Sequence, residues 1–296
     1  MNEDRKTDLP LYIETNKRVG ETPLECLNRF KLDNPLYKDL PLTYAGRLDP
    51  LAEGVLVILA GEKRLEKEKY NYCDKEYTAD ILFGINTDTH DYLGLADLSE
   101  EFVKDFTKGG GVEGGEGEVL KEEMKDKIKE KILSGVDSEV KKFVGDIKQI
   151  PPLFSSKNIA VLGLDRIKDF CKKTFSDEKN AVFCTTKDVK VYEMEVTGKR
   201  EVAGSEILEE VLQKIPLVTG SFRQKEITER WKEILRDSNG DNSHISNIKF
   251  PVISLRIKCS GGFYVRALAR DLGEAFGTSA IASRIKRTKI FSENQN

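Results

Sequence analysis

Residues 54–61 read Gly-Val-Leu-Val-Ile-Leu-Ala-Gly, an unbroken apolar run closed at each end by glycine. Such a run belongs to an element buried on more than one face, and it is far too short to cross a membrane. The fold has to be built around it. Immediately upstream stands Tyr44-Ala45-Gly46-Arg47-Leu48-Asp49-Pro50, which puts one carboxylate at the margin of the apolar element. An ionised carboxylate there needs a partner, or its pKa rises. Two readings of Asp49 stand open on this stretch. One is a turn that opens the buried element, since Asp before Pro favours turns. The other is a nucleophile or base at the mouth of a cleft.

Residues 75–83, KEYTADILF, alternate so that Tyr77, Ala79, Ile81 and Phe83 share one face, the pattern of a half-buried strand. Residues 187–196 and 251–260 predict two more strands, the second alternating Ile253, Leu255, Ile257 and Cys259 with Ser254, Arg256 and Lys258. Thr22-Pro23 opens a helix. Leu120, Met124, Ile128 and Ile132 recur every four residues, as on an amphipathic helix with a charged outer face. Residues 109–118, GGGVEGGEGE, are low in complexity and predict a flexible loop. The segment 199–247, between the last two strands, carries two helical patterns, around 205–215 and 224–236. Regular βαβ alternation is absent, so the expectation is an antiparallel α+β architecture.

The five cysteines are scattered without C-x-x-C spacing, and only His90 and His244 are present among 296 residues. A disulfide framework, a zinc site and a His-based triad are therefore not indicated, and no metal or other cofactor is expected. No signal peptide and no apolar run of transmembrane length is found, so no membrane association and a cytoplasmic location are expected. The net charge of −3 means that binding to a polyanion must rest on local patches.

One such patch follows the strand at 251–260. Ser260-Gly261-Gly262 leads into a helix with Val265, Leu268, Ala269 and Leu272 on its apolar face and Arg266 in its first turn, with Arg270 one turn on. Backbone N–H groups at a glycine-rich helix start, joined to an arginine, suit an anion, either a phosphate or a carboxylate such as Asp49. A second is the run Arg284, Lys286, Arg287 and Lys289, which contains no acid and fits contacts to an RNA phosphate backbone.

Taken together, these pieces resemble a known family. YAGRLDPLAEGVLVILAGE is similar to the catalytic motif of the TruB-type tRNA pseudouridine synthases. NKRVGETPLECL resembles their N-terminal lysine-x-x-glycine segment, and KEYTADILFGINTDTHDYLG their tyrosine strand followed by the T-D-T-x-D loop. IKQIPPLFSSKNIAVLGL resembles the Q-I-P-P segment, and IKCSGGFYVRALARDLGEAFG the C-S-x-G-x-Y-I-R segment. The five motifs stand in the family's order across residues 12–291.

The resemblance implies a pseudouridine synthase fold, α+β with a central mixed, largely antiparallel sheet cleft by the active site and flanked by helices, and an enzyme that converts a uridine of the tRNA T-arm, position 55, to pseudouridine without a cofactor. It assigns Asp49 as the catalytic aspartate and Arg266 as its partner. Tyr77 becomes the tyrosine that stacks on the extruded uracil and assists proton removal at C5. Tyr264 and Ile285 match further pocket positions, Asp91 a polar group near the base, and Lys17 the N-terminal motif; with Tyr44 these are the expected substrate-binding residues. The chain also departs from the pattern. Tyr44 stands where the family has histidine, and Arg47 gives GRLD, a form similar to the RluA and RsuA families. The chain ends five residues after RTKIF, so the C-terminal PUA domain of many relatives is expected to be missing. The expected organisation is a single catalytic domain over 1–296, acting as a monomer on the T-arm stem-loop. A thumb-like excursion is expected at 152–182, and 199–247 is expected to cap a sheet edge or to add an RNA contact. A pseudouridine synthase for another RNA, such as ribosomal RNA, and a non-catalytic RNA-binding protein on the same scaffold are the competing readings.

Overall fold

The computed structural model describes residues 9–102, 127–154, 186–235 and 247–292. The Gly-rich segment at 109–118 and most of the expected excursion at 152–182 lie outside the described residues, as do His244, Cys171, Cys184, Leu120 and Met124.

The apolar run is β3 (Glu53–Ala60), flanked by β1 (Tyr12–Lys17) and β2 (Leu42–Ala45). Leu56 through Ala60 have no exposed surface. The sheet continues through β10 (Ala280–Phe291), β4 (Asp74–Phe83), β9 (Lys249–Cys259), β8 (Lys187–Ala203) and β7 (Gly145–Gln149), giving eight strands with β2 pairing beside β3. Among the described strands of this sheet, only β3 and β10 run parallel; every other pair is antiparallel. The small hairpin of β5 (Ile85–Thr87) and β6 (Ala96–Leu98) carries the T-D-T-H-D loop. The architecture is α+β with a central mixed, largely antiparallel sheet.

The two faces of the sheet are covered by different helices. One face buries Tyr77, Ala79, Ile81, Ile253, Leu255 and Ile257 under α6 (Val265–Phe276) and α3 (Lys127–Glu139). The other buries Leu82, Phe250, Val252 and Ile281 under α4 (Gly204–Lys214) and α5 (Gln224–Leu235), with Trp231 fully enclosed. The helices of the 199–247 segment thus cover a sheet face, which corrects the expected edge cap. Its boundary also moves, because β8 runs on to Ala203, where it pairs with Lys249. The alternation of β9 made one face legible; Phe250 and Val252 on the other are buried by α4 and α5, which no alternation within β9 records.

The helix predicted at Thr22-Pro23 is α1 (Pro23–Asp33), with Thr22 and Glu25 forming a reciprocal capping box. The short α2 (Lys67–Asn71) leads into β4. Among the described residues no helix is long and apolar enough to cross a membrane.

Candidate active site

The site is organised by one row of residues across the sheet. Lys17 on β1 pairs with Gly54 on β3, Gly54 with Arg287 on β10, Arg287 with Tyr77 on β4, and Tyr77 with Ile257 on β9. Directly paired residues project to the same face, so this row forms a floor. Gly54, at φ +107°, is required where β10 comes alongside: a Cβ there would collide with the carbonyl oxygen of Arg287.

The loop Gly46–Ala52 lies over that floor and is held from three directions. Gly46 N–H donates to Asn71 Oδ1 at 2.8 Å. Arg287 donates from Nη2 to Gly46 O and from Nε to Val55 O, both at 2.7 Å. Lys17 Nζ donates to Pro50 O at 3.0 Å and to Ala52 O at 2.5 Å. Ala52 N–H donates back to Asp49 O at 3.0 Å, closing a turn. Both readings of Asp49 therefore meet in one residue: its backbone makes the turn, and the turn aims its carboxylate away from the loop.

That carboxylate accepts two hydrogen bonds from Arg266, from Nε at 2.8 Å and Nη2 at 3.0 Å, a bidentate pair. Of the two anions that the glycine-rich helix start suits, Asp49 occupies this arginine. The guanidinium is almost fully buried, whereas the Asp49 side chain remains 41% exposed. Arg266 also donates to Thr89 O at 2.8 Å and faces Asp91 at 3.8 Å. Burial opposes its charge, but the carboxylates of Asp49 and Asp91 outweigh it and hold the pKa above the ordinary arginine value. The first turn of α6 is fixed by Gln149, whose amide donates to Tyr264 O and accepts from Tyr264 N–H at 3.1 and 2.9 Å.

Two cavities flank the ion pair. The larger, about 440 Å³, is lined by Asp49, Tyr77, Tyr264, Ile285, Lys75 and Arg287 among others. Burial raises the Tyr77 pKa, so its hydroxyl is a neutral phenol at pH 7. The smaller, about 260 Å³, lies where Asp49 meets Asp91, Phe154 and the loop Ser221–Arg223 between α4 and α5. Arg223 reaches Asp88 in the T-D-T-H-D loop at 2.8 Å and stacks over Phe154.

Several expectations about individual residues need correction. Lys17 was expected to touch substrate, yet it has no exposed surface, and its ammonium is used on the loop that carries Asp49. Burial depresses its pKa from 10.5 to about 8. Asp91 is buried, accepts from Thr89 Oγ1 and Leu93 N–H, and lines the smaller cavity, not the one walled by Tyr77. Tyr44 lines neither of these cavities; it stands behind Lys67, whose ammonium lies 5.1 Å from its ring centre. Of the basic run on β10, Arg284, Lys286 and Lys289 share the outer face, opposite Asp80, Thr78 and Glu76, and Arg287 alone turns inward. Successive strand residues point to opposite faces, so Arg287 is buried while Arg284 faces out and is paired with Glu53 at 2.8 Å. Lys289 is exposed and Lys286 half-buried. Asn71 and Gln149 were missed as supports, because an amide that holds backbone groups leaves no pattern in the sequence.

A family model described as TruB family pseudouridylate synthase (N terminal domain) matches residues 38–109. A protein of Parabacteroides distasonis named tRNA pseudouridine synthase B is 26% identical over 278 residues, covering 93% of this chain and 83% of that protein. One of the same name from Nostoc sp. is 27% identical over 277 residues, covering 94% and 66%. Among solved structures, a crystal structure of a Cbf5-Nop10-Gar1 complex aligns over 96% of this chain at 17% identity and a TM-score of 0.46. The chain spans about half the length of that solved chain, 52%.

Proposed function

We propose that this chain, which belongs to the TruB family of pseudouridylate synthases, isomerises a uridine in the T-arm of tRNA, position 55, to pseudouridine, with Asp49 as the nucleophile. The observation that carries the reading is the Asp49–Arg266 pair: a half-exposed carboxylate, held bidentate by a buried guanidinium, at the edge of a cavity walled by Tyr77, Tyr264 and Ile285. The bond from C1′ of the ribose to N1 of uracil is broken, the base turns, and C1′ is rejoined to C5, which gives up its proton while N1 takes one from solvent. Nothing is oxidised or reduced, and product and substrate are isomers, so no cofactor enters the balance.

A base inside a helix cannot reach such a carboxylate, so the target nucleotide has to leave its stack. Tyr77 supplies a planar wall for the extruded uracil. Arg266 keeps Asp49 ionised and aimed, whether the carboxylate attacks C1′ or C6 first. The loop clamps fix the nucleophile before substrate arrives, so little ordering is left to the reaction itself.

Release of tritium from [5-³H]uridine in tRNA, with pseudouridine mapping in host RNA with and without the protein, tests the proposal. Release from ribosomal RNA but not from tRNA would move the substrate. Binding of RNA without release from any of it would favour a non-catalytic RNA-binding role.

A further inference from the structure

The chain between α4 and α5, residues 215–223, lies outside every segment that resembles a family motif, yet it touches the supports of Asp49 at two places. The first is Gly20, where a Cβ would collide with the main chain of Leu217. Gly20 N–H donates to Pro50 O at 2.9 Å, so Leu217 backs a residue that holds the loop next to Asp49. Beside it, Thr219 Oγ1 donates to Glu25 Oε1, the acid of the α1 capping box.

The second place is Arg223. Its φ of +61° is one that a residue with a side chain rarely adopts, and it persists only where the surroundings hold it. The Gln224 amide closes the loop on itself, donating to Val218 O and Gly220 O at 3.0 and 2.7 Å and accepting from Phe222 N–H at 2.9 Å. The guanidinium so placed has two neighbours. It forms an ion pair with Asp88 at 2.8 Å, and it lies 5.0 Å from the ring centre of Phe154. The Asp88 side chain is buried and its other oxygen accepts from Leu95 N–H at 2.9 Å. Burial raises the Asp88 pKa, and the charge of Arg223 opposes the rise.

Both neighbours lead to Arg266. Besides Asp49, Arg266 donates to Thr89 O at 2.8 Å, one residue after Asp88, and to Phe154 O at 3.3 Å. Arg223 therefore stands behind both carbonyls: it pairs with the side chain adjacent to one and covers the ring of the residue that carries the other.

We propose that Arg223 is a positioning residue of the reaction, which through Asp88 and Phe154 fixes the two carbonyls that hold Arg266 and so sets the aim of the Asp49 carboxylate. The inference rests on the proposed function, because it requires Asp49 to be the nucleophile. Arg230 offers a control. It joins α5 to β6 through Ala96 O at 2.8 Å and Asp97 at 3.3 Å, neither of which receives Arg266.

The test is single-turnover tritium release from [5-³H]uridine tRNA with the full chain in saturating excess, with tRNA affinity and melting temperature measured beside it. Arg223→Met is expected to slow release about ten- to a hundredfold and to leave affinity within about threefold. Arg223→Lys should recover part of the rate, since an ammonium can pair with Asp88 but cannot lie flat against Phe154. Arg230→Met should lower the melting temperature and leave the rate alone. A native rate in Arg223→Met, weaker binding at an unchanged rate, or an equal loss of rate in Arg230→Met would overturn the inference and leave the functional reading intact. Should Arg223→Met not fold, Arg223→Lys decides alone: a reduced rate at native affinity supports the inference, and a native rate overturns it. A native chain that releases no tritium from any RNA would instead defeat the functional reading, and this inference with it.

Discussion

Arg287 and Tyr77 stand directly opposite one another in the antiparallel register of β10 and β4. One is a fully buried cation and the other the wall of the proposed uracil pocket, and the strand pairing fixes both with respect to the loop of Asp49. Arg287→Met removes the donors to Gly46 O and Val55 O, and is expected to lower stability by about 2–4 kcal/mol in urea unfolding. Arg287→Lys should recover only part of this, because one ammonium cannot reproduce the planar fork between the two carbonyls.

Asp49→Asn retains the shape of the side chain and removes its negative charge. Tritium release should fall by at least about a thousandfold, roughly 4 kcal/mol of barrier, while tRNA binding and melting temperature hold. Arg266→Met should lose comparable activity, and stability as well, since Thr89 O and both carboxylates lose a buried partner. Multiple turnovers by Asp49→Asn would remove the nucleophile assignment.

Tyr77→Phe separates the ring from the hydroxyl. The neutral phenol at pH 7 means that no preformed phenolate waits to remove the C5 proton. The ring is retained, so binding of tRNA should stay within about threefold, about 0.7 kcal/mol, while kcat falls for want of the neutral hydroxyl as a hydrogen-bonding group beside the base. If the hydroxyl serves only to fill space, kcat will survive the substitution, and rapid-quench measurement of single turnovers would show it.

Lys17 gives a pH signature. Its pKa lies near 8 in the fold against an ordinary 10.5. Below pH 8 both folded and unfolded chains carry the proton, and the cost of the buried charge is full. Between 8 and 10.5 the folded state releases it while the unfolded state retains it, so the unfolded chain binds more protons and stability rises with pH. The unfolding free energy of the native chain, relative to Lys17→Met, should accordingly gain about 2–3 kcal/mol across that window. A flat difference in urea titrations from pH 7.5 to 10.5 would show that Lys17 is not held as a buried ammonium.

What could be read from the sequence was whatever local periodicity or an unusual residue pair encodes. The alternation of Ile253, Leu255, Ile257 and Cys259 gave β9 its buried face. Asp49 at an apolar margin and Arg266 at a glycine-rich helix start each required a partner, and 217 residues of separation did not hide that they suit each other. The failures share one cause. Lys17 and Arg287 spend their charge on main-chain carbonyls, and any residue can offer a carbonyl, so no side-chain pattern marks the partner. Of the run from Arg284 to Lys289 the pleat withdraws Arg287 alone, and it is this residue whose carbonyl partners the sequence could not mark.

The pairing of Ala203 with Lys249 brings the two ends of the α4–α5 segment side by side. In topological terms this segment is a graft on a hairpin: a short reverse turn in its place would leave the register of β8 and β9 undisturbed. Energetically the graft has become part of its host. Excising it would bare Leu82, Val252 and Ile281 to water and sever Arg223 from Asp88 in the loop whose Thr89 carbonyl receives Arg266. A segment that the sheet could close without is thereby coupled to the geometry of the nucleophile.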